Sequence, residues 1–135
     1  MRDYRELTVY QLCDEMRRRI RLVLRRPCFQ SDPELRGQRR RASERPCPVI
    51  AEGFSRYHPR EIGKFVRDAK ASLSEIVEHL DRAVDREFVT KGEASEIAVL
   101  CKRGRGAATA FIRYLESAEA PGVPRTRPRA ASRKL

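Results

Sequence analysis

The sequence predicts an all-α protein, an antiparallel four-helix bundle, on three observations. Apolar residues recur at three- and four-residue spacing over long segments, proline and capping residues punctuate those segments, and no β-branched run alternates apolar with polar positions. The 135 residues are 40% hydrophobic and 36% charged, so one compact core under a densely charged surface is the expected design.

The first segment, residues 5 to 26, sets Val9, Leu12, Cys13, Met16, Ile20, Val23 and Leu24 on one helical face. The opposite face carries Arg17, Arg18, Arg19, Arg21, Arg25 and Arg26. The helix stops before Pro27, because a residue preceding proline is pushed out of the helical region, and residues 27 to 32 read as a loop. Ser31 or Asp32 caps a second helix, and Pro33 suits its first turn, where a missing amide hydrogen costs nothing. This helix runs through ELRGQRRRASER, breaks or kinks at Pro46 and Pro48, and continues through VIAEGF. Pro59 opens the third helix, whose inward stripe is Ile62, Phe65, Val66, Ala69, Leu73, Ile76, Val77, Leu80, Ala83 and Val84. Thr90 and Glu93 form a capping-box pattern that starts the fourth. Its inward face is Ile97, Leu100, Cys101, Gly104, Ala108, Phe111, Ile112 and Leu115, with Gly104 admitting close helix contact. The bundle domain is thus residues 1–120. The remainder, 121–135, mixes proline with Arg125, Arg127, Arg129, Arg133 and Lys134 and reads as a disordered basic tail.

Lys and Arg number 30 against 19 Asp and Glu, a net charge of +11, and the chain stays net basic without its tail. Such a balance favours polyanionic partners, RNA or DNA foremost. No apolar run approaches the roughly 18 residues that span a bilayer, and the opening MRDYRELTVYQ has no apolar signal core, so a cytoplasmic protein is expected. Cys13, Cys28, Cys47 and Cys101 form no CxxC pair and read as small buried or half-buried thiols rather than metal ligands or a disulfide framework. No paired carboxylates, nucleophile with a base or phosphate-cradling glycine loop is visible: Gly104 and Gly106 in KRGRGAA lie inside a helical pattern. His79 beside Glu78 reads as a helix-surface residue. The expectation is a binding protein without cofactor or metal, not an enzyme.

Two arginine clusters come from helices that a bundle sets side by side. The candidate nucleic-acid contacts are Arg17, Arg18, Arg21, Arg25, Arg36, Arg39, Arg40 and Arg41, joined by Arg56 and Arg60 around the third helix start. A guanidinium presents a planar fork of donors that matches phosphate oxygens, and neutralising several phosphates releases counterions. The competing reading makes these solvated faces paired with Glu15, Glu34 and Glu44. Phe54 and Tyr57, next to Arg56 and Arg60, suit base stacking or, equally, a wedge at the helix junction with Gly53 supplying an unusual backbone conformation. Glu52, Glu61 and Glu75 read as assembly contacts, since an uncompensated buried charge is costly.

The stretches ELRGQRRRAS and VIAEGFSRYHPREIGKFVRDAKASLSEIVEHL, with the opening YRELTVYQ and the later EFVTKGEASEI, resemble the four-helix bundle proteins encoded in 23S rRNA intervening sequences. The resemblance covers residues 4 to 117. Its most specific part is Ile50, Ala51, Glu52, Gly53, Phe54 and Arg56 followed by Glu61, Phe65, Ala69, Ser72 and Glu75. The chain departs from the family pattern at Tyr10, where tryptophan is usual, and at Pro46, Cys47, Pro48 and Val49, where an asparagine is lost. The resemblance implies a ring-like homopentamer, and kinship with the accessory variability proteins of diversity-generating retroelements, which work with a reverse transcriptase and its template RNA. A protein-interaction scaffold without direct nucleic-acid contact remains the alternative.

Overall fold

A computed structural model describes residues 3–56 and 58–117, and its described residues are helical with no strand. A 3₁₀ turn at Tyr4–Glu6 leads into α1 (Thr8–Val23), α2 (Pro27–Gln30), α3 (Pro33–Glu44), α4 (Pro46–Phe54), α5 (Pro59–Asp85) and α6 (Lys91–Glu116). The tail expected at 121–135 lies outside the described residues, as does Tyr57.

The first helix starts later than its apolar period suggests. Leu7 is extended, and Asp3 instead caps the preceding turn by accepting from the Arg5 amide. The expected loop at 27 to 32 contains the one-turn α2, with Pro27 at its start. Phe29 explains that turn: it is buried and meets Phe88 edge-on, ring centroids 4.8 Å apart. Asp32 caps α3 through the Leu35 amide at 3.1 Å. Arg45 keeps helical angles between α3 and α4, so the prolines at 46 and 48 divide two helices that run on without a loop. His58 caps α5, its Nδ1 accepting from the Arg60 amide. At the other end of α5, Glu87 takes a left-handed backbone (φ 63°) while the Phe88 amide donates back to the Ala83 carbonyl and the Glu87 amide to Val84. Thr90 and Glu93 then complete the predicted capping box in both directions, at 3.0 and 2.9 Å.

α6 packs on α5 and α1, and α4 packs on α5. The predicted stripes supply the core: Val9, Met16, Ile50, Ile62, Val66, Leu73, Cys101 and Ala108 are almost wholly enclosed. Two glycines set how closely helices approach. A Cβ on Gly104 would stand 3.0 Å from the Leu73 side chain, the contact its position in α6 suggests. A Cβ on Gly53 would collide with Phe65 Cβ. Gly53 therefore serves the α4–α5 crossing from within a helix, and not through an unusual backbone angle as its sequence context suggests.

Candidate nucleic-acid interface

Most arginines of α1 are bound to acids of the same chain. Arg17 and Arg18 both reach Asp14, at 2.6 and 3.4 Å; Arg19 reaches Glu15 and, across to α6, Glu96; Arg21 reaches Glu44 of α3 at 2.9 Å. Arg26, just beyond α1, forks onto Glu93 and also donates to the Phe88 carbonyl. It thereby ties the end of the first helix to the start of the last. The Arg26 guanidinium, helped by the Thr90 amide, holds the Glu93 carboxyl down at about 2. Of this series, Arg25 alone is exposed with its guanidinium unpaired among the described residues.

α3 is different. Arg40 and Arg41 are exposed, and among the described residues neither guanidinium has an acidic partner. Arg36 donates its Nε to the Leu24 carbonyl at 2.9 Å, which anchors its stem and leaves the fork edge available. Arg36 and Arg40, with Gln30, Pro33 and Gly37, line a surface groove of about 360 Å³. Arg41 and Arg45, with Gln38, Glu75 and His79, line another of about 450 Å³. Gly37 opens the first groove by presenting no side chain between its two arginines, although a Cβ there would stand only 3.2 Å from Arg41 Nη1.

One arginine expected on this surface is not there. Arg39 is only 7% exposed and points inward, its Nη1 donating to the His79 carbonyl at 2.8 Å. The helical register explains it: Arg39 falls with the buried Ala42 and Ser43, on the face of α3 that meets α5. His79, expected on the surface, is accordingly half-buried against it. Arg56 is exposed, paired with Glu52 at 2.9 Å and stacked over the Phe65 ring at 5.1 Å. Arg60 is exposed and lines a groove of about 400 Å³ with His58, Gly63 and Arg67.

The residues read as assembly contacts lie apart from one another. Glu52 pairs with Arg56 just past the end of α4, Glu75 faces His79 of the same helix at 3.8 Å, and Glu61 is exposed at the start of α5. Gly53 is buried and Phe54 is half-buried against the core. Within the described chain, none of the three glutamates bridges two helices.

One unpaired cationic surface among the described residues was not singled out from the sequence. Residues 97 to 115 contain no acid, and Lys102, Arg103, Arg105 and Arg113 all sit on the exposed face of α6, with no ion pair among the described residues. The available signal was this acid-free run, masked by reading KRGRGAA only against a phosphate loop. Between the cations the exposed positions are small, Gly106 and Ala110, and a Cβ on Gly106 would meet nothing within 4 Å. A polyanion backbone can therefore approach this helix closely. Three of the four thiols are buried and held protonated: burial pushes Cys47 up to about 11 and Cys101 up to about 12, and Cys13 higher still, while Cys28 is half-buried. No helix is long and apolar enough to cross a membrane.

Among known protein families, the model of the 23S rRNA-intervening sequence protein matches residues 5–110. Comparison with curated proteins and with solved structures gave no match.

Proposed function

As this chain belongs to the family of 23S rRNA-intervening sequence proteins, we propose that it is a nucleic-acid-binding accessory protein that acts by contact with the phosphate backbone and not by catalysis. The observation that carries the reading is the acid-free stretch 97–115 of α6, flanked by the exposed Glu96 and Glu116, in which Lys102, Arg103, Arg105 and Arg113 are exposed and unpaired among the described residues. Arg25, Arg40 and Arg41 and the Arg36–Arg40 groove form a second basic surface at α3, a helix that does not pack on α6. These side chains offer charge and forked donors without a recognition helix for base edges, so binding is non-sequence-specific, to RNA or DNA.

The finer parts of the proposal rest on the family resemblance and on pair contacts. An antiparallel four-helix bundle, with α3 and α4 acting as one bent helix, is supported by Arg26 meeting Glu93 while Gly104 meets Leu12 and Leu73, and by Arg67 meeting Glu116. Copies assemble, as a homopentamer by resemblance, in the cytoplasm, and a reverse transcriptase is the proposed protein partner. Repetition of a weak basic patch around a ring multiplies its affinity. One observation favours the alternative, an interaction scaffold without nucleic-acid contact. Leu22 and Val99 are 62% and 50% exposed, one turn from the Arg19–Glu96 pair, and suit a protein partner.

The test is fluorescence polarisation of a labelled structured RNA against increasing salt. Affinity should fall steeply, by roughly 0.7 to 0.9 logarithmic units per logarithmic unit of salt for each phosphate contact. Absence of binding at low salt would reject the nucleic-acid reading in favour of the scaffold.

A further inference from the structure

The two unpaired cationic surfaces, on α6 and on α3, do not adjoin. α6 packs on α5 and α1, α3 packs on the same two helices, and α3 and α6 make no contact with each other among the described residues. Either α1 or α5 therefore lies between them. Their levels along α1 differ as well. Gly104 of α6 lies over Leu12, whereas Arg36 of α3 donates its Nε to the Leu24 carbonyl. Leu12 and Leu24 are about 18 Å apart along the axis of α1, and the width of a helix, about 10 Å, adds to the gap across the bundle. Lys102 and Arg103, beside Gly104, thus stand well over a helix width from Arg36 and Arg40, and Arg113, further along α6, is farther still.

The surface between the two faces offers less free positive charge. Across α1, Arg17 and Arg18 are held by Asp14, Arg19 by Glu15 and Glu96, and Arg21 by Glu44. Across α5, the stretch that meets α3, where Arg39 reaches the His79 carbonyl, exposes Glu75, Glu78, Asp81 and Asp85 against Arg82 and Arg86. Of those two arginines, Arg86 already lies 3.7 Å from Asp32. A rigid duplex laid on either face therefore meets no continuous run of unpaired cations leading to the other. In about 0.1 M salt the Debye length is about 10 Å, so phosphates seated on one face are largely screened from those on the other.

We propose that one chain holds two separate nucleic-acid segments at once and so bridges them, one segment on Lys102, Arg103 and Arg113 of α6 and the other on Arg36, Arg40 and Arg41 of α3. The proposal rests on the phosphate-backbone reading above and adds an activity to it, the drawing together of two strands or two stems. Each face supplies a few phosphate contacts, and two segments captured by one chain are held at a high effective concentration with respect to each other. Contacts of this kind carry no base readout, so the paired segments need share no sequence. Complementary segments so held meet more often than in free solution.

Two short RNA duplexes, one carrying a donor dye and the other an acceptor, are mixed with increasing amounts of the full chain in about 0.1 M salt. Energy transfer should rise and then fall once chains outnumber duplexes, because excess chains take one duplex each. That profile needs no variant. Arg40→Glu with Arg41→Glu alters two exposed side chains that have no ion pair among the described residues. The double variant should lower transfer at least about tenfold, while the affinity for a single duplex, read by polarisation, changes less than about threefold. Duplex binding without transfer, transfer that reaches a plateau with no fall, or undiminished transfer in the double variant would each overturn the proposal. The last result would mean that copies of the chain bridge duplexes through their α6 faces alone. Failure to bind either duplex at low salt would reject the phosphate-backbone reading itself, and this proposal with it.

Discussion

The arginines of α1 and the cations of α6 are equally prominent in the sequence, yet the fold uses them differently. Those of α1 have acids within one turn, Asp14 and Glu15, and acids on neighbouring helices, Glu44 and Glu96, and they are occupied by them. Those of α6 stand in a run of residues, 97 to 115, that contains no acid, and they face solvent unpaired among the described residues. Charge density therefore does not mark an interface by itself. What matters is whether the local sequence supplies the countercharge, because an arginine already paired must break that pair before it can serve a phosphate.

The sharpest way to break this contrast is to neutralise each face separately. Lys102→Gln, Arg103→Gln and Arg105→Gln together should weaken RNA binding roughly 100-fold at low salt and flatten its salt dependence by about two to three contacts. Stability should move by no more than about 0.5 kcal/mol, since these side chains make no hydrogen bond or ion pair among the described residues. Arg17→Gln, Arg18→Gln and Arg21→Gln together should cost about 1 kcal/mol in urea unfolding, because exposed ion pairs contribute little each, and change affinity less than threefold. Equal losses of affinity from the two triple variants would dissolve the distinction.

The glycines sharpen the same contrast between a helix face used for packing and one left open. Gly53→Ala forces a Cβ into Phe65 and should destabilise by about 1–3 kcal/mol. Gly106→Ala meets nothing and should stabilise by about 0.5–1 kcal/mol through helix propensity alone, read from the shift in thermal midpoint.

The smallest expected effect concerns the α1–α6 clip. Glu93 is held at about 2 from an ordinary 4.5, so its contribution is present above about 4.5 and is lost as pH falls through about 2. Glu93→Gln should remove that part of the acid dependence of unfolding between those two values and leave the curve above pH 5 parallel to wild type.

Helix periods, proline positions and the capping box were legible because they are local: Thr90 with Glu93, Pro33 behind Asp32 and Pro59 behind His58 need no knowledge of the rest of the chain. The short α2 was hidden because Phe29 orders it only by reaching Phe88. The end of α5 was hidden because Glu87, not glycine, takes the left-handed position. In the site, Arg40 and Arg41 were legible as exposed cations, whereas Arg39 just before them was not, since one position along a polar helix decides between solvent and core. Pairing was the least legible of all. It depends on which acids the bundle brings across, as Glu44 to Arg21 and Glu93 to Arg26 show.

The Arg26–Glu93 clip and the α1–α6 contact join segments separated by most of the described chain. Translation delivers α1 first and α6 last of these helices. The apolar stripe of α1 thus has no α6 to cover it until nearly every other helix has been made. Assembly of the complete core is consequently a late event in synthesis, with high sequence separation across its final seam. A nascent chain stalled before residue 91 would leave the stripe that α6 covers exposed to solvent, the condition that favours aggregation.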